Sequence, residues 1–158
     1  YGLGVYNSQT MKELKRLGLI SATASFELKL AQIRDLSKAI PTELIAYGRL
    51  PLMITENCII HNHSGQHTCS NVNLLTDRKG EWFPVVQAYG CRNEILNSKK
   101  LFLADRTQDY GRLGLWAARL MFTTENAMEC AQVLERYLGQ GSYQPNEYTR
   151  GLYYRDVE

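Results

Sequence analysis

A short sequence pattern occurs near both ends of this chain, and it constrains the fold more than any other feature. Residues 16–20 read RLGLI and lead to Phe26 and Glu27, whereas residues 112–116 read RLGLW and lead to FTTE at 122–125. In both places a helix or loop ends at a glycine and a strand follows. Strands and helices that alternate in this way form parallel sheets with right-handed crossovers. We therefore predict an α/β fold, either a TIM-type barrel or half of one.

Local patterns place the individual elements along the chain. Capping side chains and spaced apolar residues predict helices over residues 11–17, 28–39 and about 126–138. Apolar runs predict strands over residues 2–6, 21–26, 42–47 and 101–104. The runs 72–75 and 82–89 predict the two strands of a β-hairpin, with Gly80 near the tip of its turn.

Length and composition indicate a single domain. The chain has 158 residues and is 44% hydrophobic, which suffices for one ordinary core. We expect the domain to cover residues 1–138, with a connecting segment over 139–158 in which Tyr153 and Tyr154 pack locally as surface or interface aromatics. A net charge of +2 neither indicates nor excludes nucleic acid as a partner. The first residue is not Met and a strand-like run begins at once, which predicts a fragment of a longer chain.

The sequence offers no feature of a membrane or exported protein. No apolar run approaches the roughly 20 residues that span a bilayer, and the first ten residues resemble no secretory leader. We therefore expect a cytoplasmic protein without a membrane partner.

The cysteines and histidines are the candidate metal ligands. The four cysteines, in the pattern C-x10-C-x21-C-x38-C, are Cys58, Cys69, Cys91 and Cys130. Disulfides are unexpected without an export signal, and buried inert thiols are the plainer alternative. A zinc site could use Cys58 and Cys69 together with the three histidines, which are His61, His63 and His67. Four thiolates suit a [4Fe-4S] cluster equally well, so the spacing leaves both metals open.

Four segments in order carry a resemblance to a known family. They read YGRLPLMITENC at 47–58, DRKGEWFPV at 77–85, CRNEILNSKKLFLADR at 91–106 and FTTENAMEC at 122–130. With these segments the chain resembles the collagenase-like putative proteases of peptidase family U-thirty-two. The resemblance implies the C-terminal half of a TIM-type α/β barrel with an inserted β-hairpin. The missing N-terminal half of the barrel would then be a partner.

The resemblance also implies a cofactor and two possible activities. The family name implies a peptidase, yet similar proteins support oxygen-independent hydroxylation of RNA bases or of the ubiquinone ring, and these hold a [4Fe-4S] cluster on four cysteines. The four matching positions in this chain are Cys58, Cys69, Cys91 and Cys130. The histidines of the loop that follows Cys58 are not part of that pattern.

Three functions follow as hypotheses. The first is iron–sulfur-dependent hydroxylation of an RNA base or a small aromatic substrate, with Arg49, Glu56 and Arg92 as candidate catalytic residues. Arg78 and Lys79 are candidates for contacting substrate or cluster, with ordinary surface charge or an ion pair in the predicted hairpin turn as the alternative. The second is a peptidase, in which a bound metal or Cys58 with His61 or His63 attacks a peptide substrate. The third is a zinc-binding or assembly module, because a half-barrel exposes a sheet edge and could self-associate.

Overall fold

The computed structural model describes residues 2–66 and 73–155, which form a mixed α/β fold. The helices are α1 (Ser8–Arg16), α2 (Leu30–Asp35), α3 (Ile59–Ser64), α4 (Thr107–Gly111) and α5 (Ala127–Tyr137). The strands are β1 (Ala22–Thr23), β2 (Thr42–Gly48), β3 (Pro51–Thr55), β4 (Asn73–Thr76), β5 (Trp82–Gln87), β6 (Asn93–Leu96), β7 (Lys100–Phe102), β8 (Ala117–Met121) and β9 (Tyr148–Thr149). In the described part of the chain, no helix is long and apolar enough to cross a membrane.

The first sheet is built around β2. Strands β1 and β8 pair with β2 in parallel, and a parallel bridge between Val5 and Ala24 adds one more position beyond β1. Val5, β1, β2 and β8 therefore lie side by side in chain order, and at least one helix lies between each consecutive pair along the chain. Strand β7 pairs antiparallel with β2, and β9 pairs parallel with β7. The predicted α/β alternation is confirmed, and within the described residues the sheet does not close into a barrel.

Strand β2 is buried along its whole length because its sequence, TELIAYG, is apolar enough to be covered on both faces. Its one charged side chain, Glu43, is stabilised by Arg119 from β8, whose Nη2 lies 2.6 Å from Glu43 Oε2. The hydroxyl of Thr23 in β1 also donates to Glu43 Oε2, at 3.1 Å. These contacts tie the three parallel strands together across the sheet.

The glycines of the repeated pattern have the predicted role. Gly18 follows α1 with φ 81° and Gly114 follows α4 with φ 67°, which is the left-handed conformation that favours glycine after a helix. Asn7 and Asn126 are the N-caps of α1 and α5, and each side chain accepts backbone N–H groups of its helix. The predicted helices over 11–17 and 126–138 are thus confirmed to within a few residues. The helix predicted over 28–39 is shorter, because Leu36 already has an extended backbone.

A second, antiparallel sheet is inserted between β2 and β7. Its strand order is β3-β6-β5-β4, and β4 and β5 form the predicted hairpin around Asp77 and Gly80. Strands β3 and β6 and helix α3 were not predicted. Helix α3 packs on this sheet and closes a small core that is made of Cys58, Ile60, Val85 and Ile95.

The segment after α5 packs against the domain. Thr149 in β9 pairs with Leu101 in β7. Tyr153 is only 2% exposed, belongs to the main core, and donates its hydroxyl to the backbone oxygen of Ile45 at 2.7 Å. The interpretation of Tyr153 as a surface aromatic is therefore wrong, because β9 turns the chain back onto the sheet. Tyr154 is 46% exposed, as predicted.

We expect the Tyr153→Phe substitution to lower the free energy of unfolding by about 1–2 kcal/mol, since a buried hydrogen bond is lost. The matched control is Tyr154→Phe, which removes an exposed hydroxyl that donates to Asp109. That change should alter stability by less than about 0.5 kcal/mol. Urea unfolding of both variants measures the difference, and equal effects would contradict the assigned role of Tyr153.

Candidate functional site

Polar side chains meet at the carboxyl ends of β2 and β8. The hydroxyl of Tyr47, near the end of β2, donates to Oε1 of Glu125, which follows β8, at 3.2 Å. Lys100 from the start of β7 places its Nζ 3.2 Å from Glu125 Oε1 and 2.5 Å from Glu129 Oε1. Tyr143 donates to Glu129 Oε1 at 2.6 Å. These five side chains form one connected network at the edge of the parallel sheet where α/β folds place their ligand sites.

The network has a defined charge state near neutral pH. Burial alone would raise the pKa of Glu125, but the backbone N–H of Thr123 and the charge of Lys100 outweigh it, so the pKa lies below its ordinary value. Burial would lower the pKa of Lys100, but its bonds to Glu129 and Glu125 raise it. The pKa of Tyr47 is raised, chiefly by burial. Near neutral pH, Glu125 is therefore a carboxylate, Lys100 an ammonium and Tyr47 a neutral phenol.

Arg49, one of the three candidate catalytic residues, lies beside this network. Its Nη1 donates to the backbone oxygens of Asn97, at 2.9 Å, and of Ser98, and its Nε donates to Thr124 Oγ1 at 3.3 Å. All of these acceptors are neutral. Within residues 2–66 and 73–155, Arg49 forms no ion pair.

A polar cleft of about 350 Å³ lies between Arg49 and the network. Its walls are formed by Arg49, Ser98, Lys100, Glu129, Tyr143 and the segment 144–147. The strand ends of the first sheet therefore carry both a cleft and the charged groups that could orient a ligand in it.

The other two candidate catalytic residues are not at this cleft. Glu56 and Arg92 pair with each other on the inserted sheet, with Arg92 Nη2 2.7 Å from Glu56 Oε2. Their side chains are 77% and 45% exposed, so water screens the pair and it contributes little to stability. Arg78 and Lys79 are exposed in the hairpin turn between β4 and β5, as predicted.

The segments that carry Cys58 and Cys91 are held together by Asn93. Cys58 is the N-cap of α3, is buried, and its Sγ accepts the backbone N–H of His61 at 3.3 Å. The next backbone N–H, of Ile59, donates to Asn93 Oδ1 at 2.8 Å. Cys91 lies two residues before Asn93 and is exposed in the turn between β5 and β6. Asn93 is fully buried, and its Nδ2 has no hydrogen-bond partner among the described residues.

The remaining predicted metal ligands lie on α5, on α3 or outside the described residues. Cys130 is half-buried in α5, which packs on the first sheet through Val133. His61 and His63 lie on α3. Cys69 and His67 lie outside the described residues. In the part of the chain that the structure describes, no group of three His, Cys, Asp or Glu side chains is arranged to hold a metal ion.

Several site residues were missed by the sequence analysis, namely Tyr47, Asn93, Lys100, Glu125, Glu129 and Tyr143. Glu125 and Glu129 lie on either side of the N-cap Asn126, so their spacing was a signal that both carboxylates are near the start of one helix. Lys100 had no such signal, because its partners are at least 25 residues away along the chain. Comparisons of this chain with protein-family models, with curated proteins and with solved structures gave no match.

Proposed function

We propose that this chain is the C-terminal half of a TIM-type barrel of the U-thirty-two kind, that it holds a four-cysteine [4Fe-4S] cluster, and that it supports oxygen-independent hydroxylation. The substrate would be an RNA base or a small aromatic compound. The observation that carries the proposal is the joining of the Cys58 and Cys91 segments around the buried Asn93, whose Nδ2 lacks a partner among the described residues.

The order of the parallel strands supports the barrel half. Residue 5, β1, β2 and β8 are neighbours in chain order, as consecutive strands of a barrel are. In the described part of the chain, β8 pairs with no strand other than β2, so its outer edge is open to a further parallel strand. An N-terminal half that supplies strands to this edge and to the edge at Val5 is the partner that the arrangement favours.

The chemistry of the donors supports the cluster. Thiolates are the soft ligands that iron–sulfur clusters require, and the chain offers four cysteine side chains, at Cys58, Cys69, Cys91 and Cys130. A buried amide N–H without a partner costs free energy, and a cluster sulfur is an acceptor that would satisfy it. The donor types therefore suit the group, with Cys69 as the fourth thiolate, but Cys58, Cys91 and Cys130 are not gathered into a metal site among the described residues, so binding would require them to move together.

The chain's own residues would position both the cluster and the substrate. Asn93 would fix the spacing between the Cys58 and Cys91 segments through Oδ1, and its Nδ2 would donate toward sulfur. Arg49 and the network around Lys100 would orient the substrate at the strand ends. When bound, the cluster would supply electron transfer.

The burial of Cys58 favours a ligand over a peptidase nucleophile. Its side chain belongs to the small core beneath α3 and is 7% exposed, whereas a nucleophile must reach the carbonyl carbon of a peptide.

The experiment compares cells that lack the gene with cells that carry the wild-type or the Cys130→Ser protein. Mass spectrometry of their RNA nucleosides and quinones should reveal a species with one added oxygen that depends on the wild-type protein. Cys130→Ser should lose that species entirely. Cleavage of gelatin by the purified wild type, lost in Cys58→Ala, together with unchanged nucleosides and quinones, would contradict the proposal.

A further inference from the structure

Arg49 is the cation of the cleft that is not neutralised by a carboxylate. Of the two basic side chains that line the cleft within the described residues, Lys100 is paired with Glu125 and Glu129, whereas Arg49 contacts neutral oxygens. Three hydrogen bonds from Nε and Nη1 hold the guanidinium in place, so it is oriented before any ligand arrives. Among the described residues, Nη2 of this half-buried, fixed guanidinium makes no hydrogen bond, so it can donate a charge-assisted hydrogen bond to a carboxylate.

The opposite side of the cleft carries negative charge. Glu129 is held by Lys100 and Tyr143, and Glu147 lies at the rim with its carboxylate 3.8 Å from Lys99 Nζ. A polyanion such as RNA would place further phosphates against these carboxylates, and it would gain from a row of cations that the cleft lacks. A single negative charge at Arg49 avoids that repulsion.

The size of the cleft agrees with a small ligand. About 350 Å³ lies at the lower end of the range of small-molecule pockets. The lining also offers the amides of Gln144 and Asn146, which can donate to or accept from a hydroxyl or carbonyl group of a ligand.

We propose that this cleft binds a small organic monoanion whose carboxylate pairs with Arg49. This inference deepens the proposed function, because it names the class of ligand that binds in the cleft at the strand ends. It rests on the proposed function only for the part that this ligand plays in the reaction. It would make Arg49 a specificity residue that selects small carboxylates over neutral compounds and polynucleotides.

Binding of benzoate and of benzamide to the purified full-length protein tests this inference, measured by isothermal titration calorimetry at low salt. The two probes have nearly the same shape, and benzamide lacks the charge. We expect benzoate to bind and benzamide to bind at least about tenfold more weakly, because the charge-assisted hydrogen bond to Arg49 is lost. Arg49→Gln should remove the preference, whereas the matched control Arg112→Gln, an exposed arginine away from the cleft, should keep it.

A second variant does not depend on the fold tolerating a change at Arg49. The side chain of Glu147 is 73% exposed, so Glu147→Gln should fold normally, and removing its charge should tighten benzoate binding about 2- to 4-fold. Equal binding of benzoate and benzamide by the wild type, or benzoate binding that neither variant alters, would overturn the inference. So would tight binding of a ten-nucleotide RNA that Arg49→Gln abolishes.

Iron content is measured on the same preparations. If the protein contains no iron but still prefers benzoate through Arg49, the proposed cluster is contradicted and the inference about the cleft is supported. An iron-loaded protein that shows no preference would support the cluster and overturn the cleft inference.

Discussion

Lys100→Met should lower the free energy of unfolding by about 3–5 kcal/mol, because it leaves a buried carboxylate without its cation. The side chain of Glu125 is fully buried and that of Lys100 is only 12% exposed. Urea unfolding at pH 7 measures the loss. The matched control is Lys99→Met at the neighbouring position, where the lysine side chain is 43% exposed and its ion pair spans 3.8 Å. That change should cost less than about 1 kcal/mol.

The double variant Lys100→Met/Glu125→Gln separates charge from packing. Removing the carboxylate together with its cation should recover most of the stability that the single change loses. A double variant as unstable as Lys100→Met would show that the aliphatic stem of Lys100, and not its charge, stabilises the fold.

The pH dependence of the free energy of unfolding tests the same interaction between Glu125 and Lys100. The pKa of Glu125 is lower in the folded protein than its ordinary value of 4.5, which we take for the unfolded chain. Its contribution is therefore fully present above about pH 4.5 and is lost as the pH falls below that value. In Lys100→Met the buried carboxyl lacks its cation and its pKa should rise, so acidification should recover stability instead. Unfolding curves between pH 4 and 7 distinguish the two slopes.

Cys130→Ser should abolish the iron content of the full-length protein prepared without oxygen. A [4Fe-4S] cluster requires four ligands, and a serine hydroxyl replaces a thiolate poorly. Cys58→Ser should have the same effect, although Cys58 and Cys130 lie on the separate helices α3 and α5. His61→Ala and His63→Ala should leave the iron content unchanged. If Cys130→Ser retains the metal that Cys58→Ser loses, the site is local and resembles a zinc site.

The features of the fold that the sequence predicts are those that local chemistry determines. The hairpin of β4 and β5 follows from the turn around Asp77 and Gly80, and Asn126 marks the start of α5. Strand β2 follows from an apolar run long enough to be buried on both faces. Helix α3 was missed because it has only six residues, and strand β3 because it begins at a proline.

The site is less predictable because its members meet through tertiary structure. Arg49 could be selected from its motif, whereas its position depends on carbonyl groups nearly 50 residues away. Asn93 joins two cysteine segments through a contact with Ile59, which is 34 residues distant. The candidate catalytic residues Glu56 and Arg92 are 36 residues apart. Their ion pair could be recognised only once β3 and β6 were paired.

The cluster is the central claim, and the most direct test is the iron and acid-labile sulfide content of the wild-type full-length protein, purified without oxygen. We predict about four iron atoms and about four sulfides per chain, with little zinc. A colourless protein that contains stoichiometric zinc and no sulfide would contradict the claim.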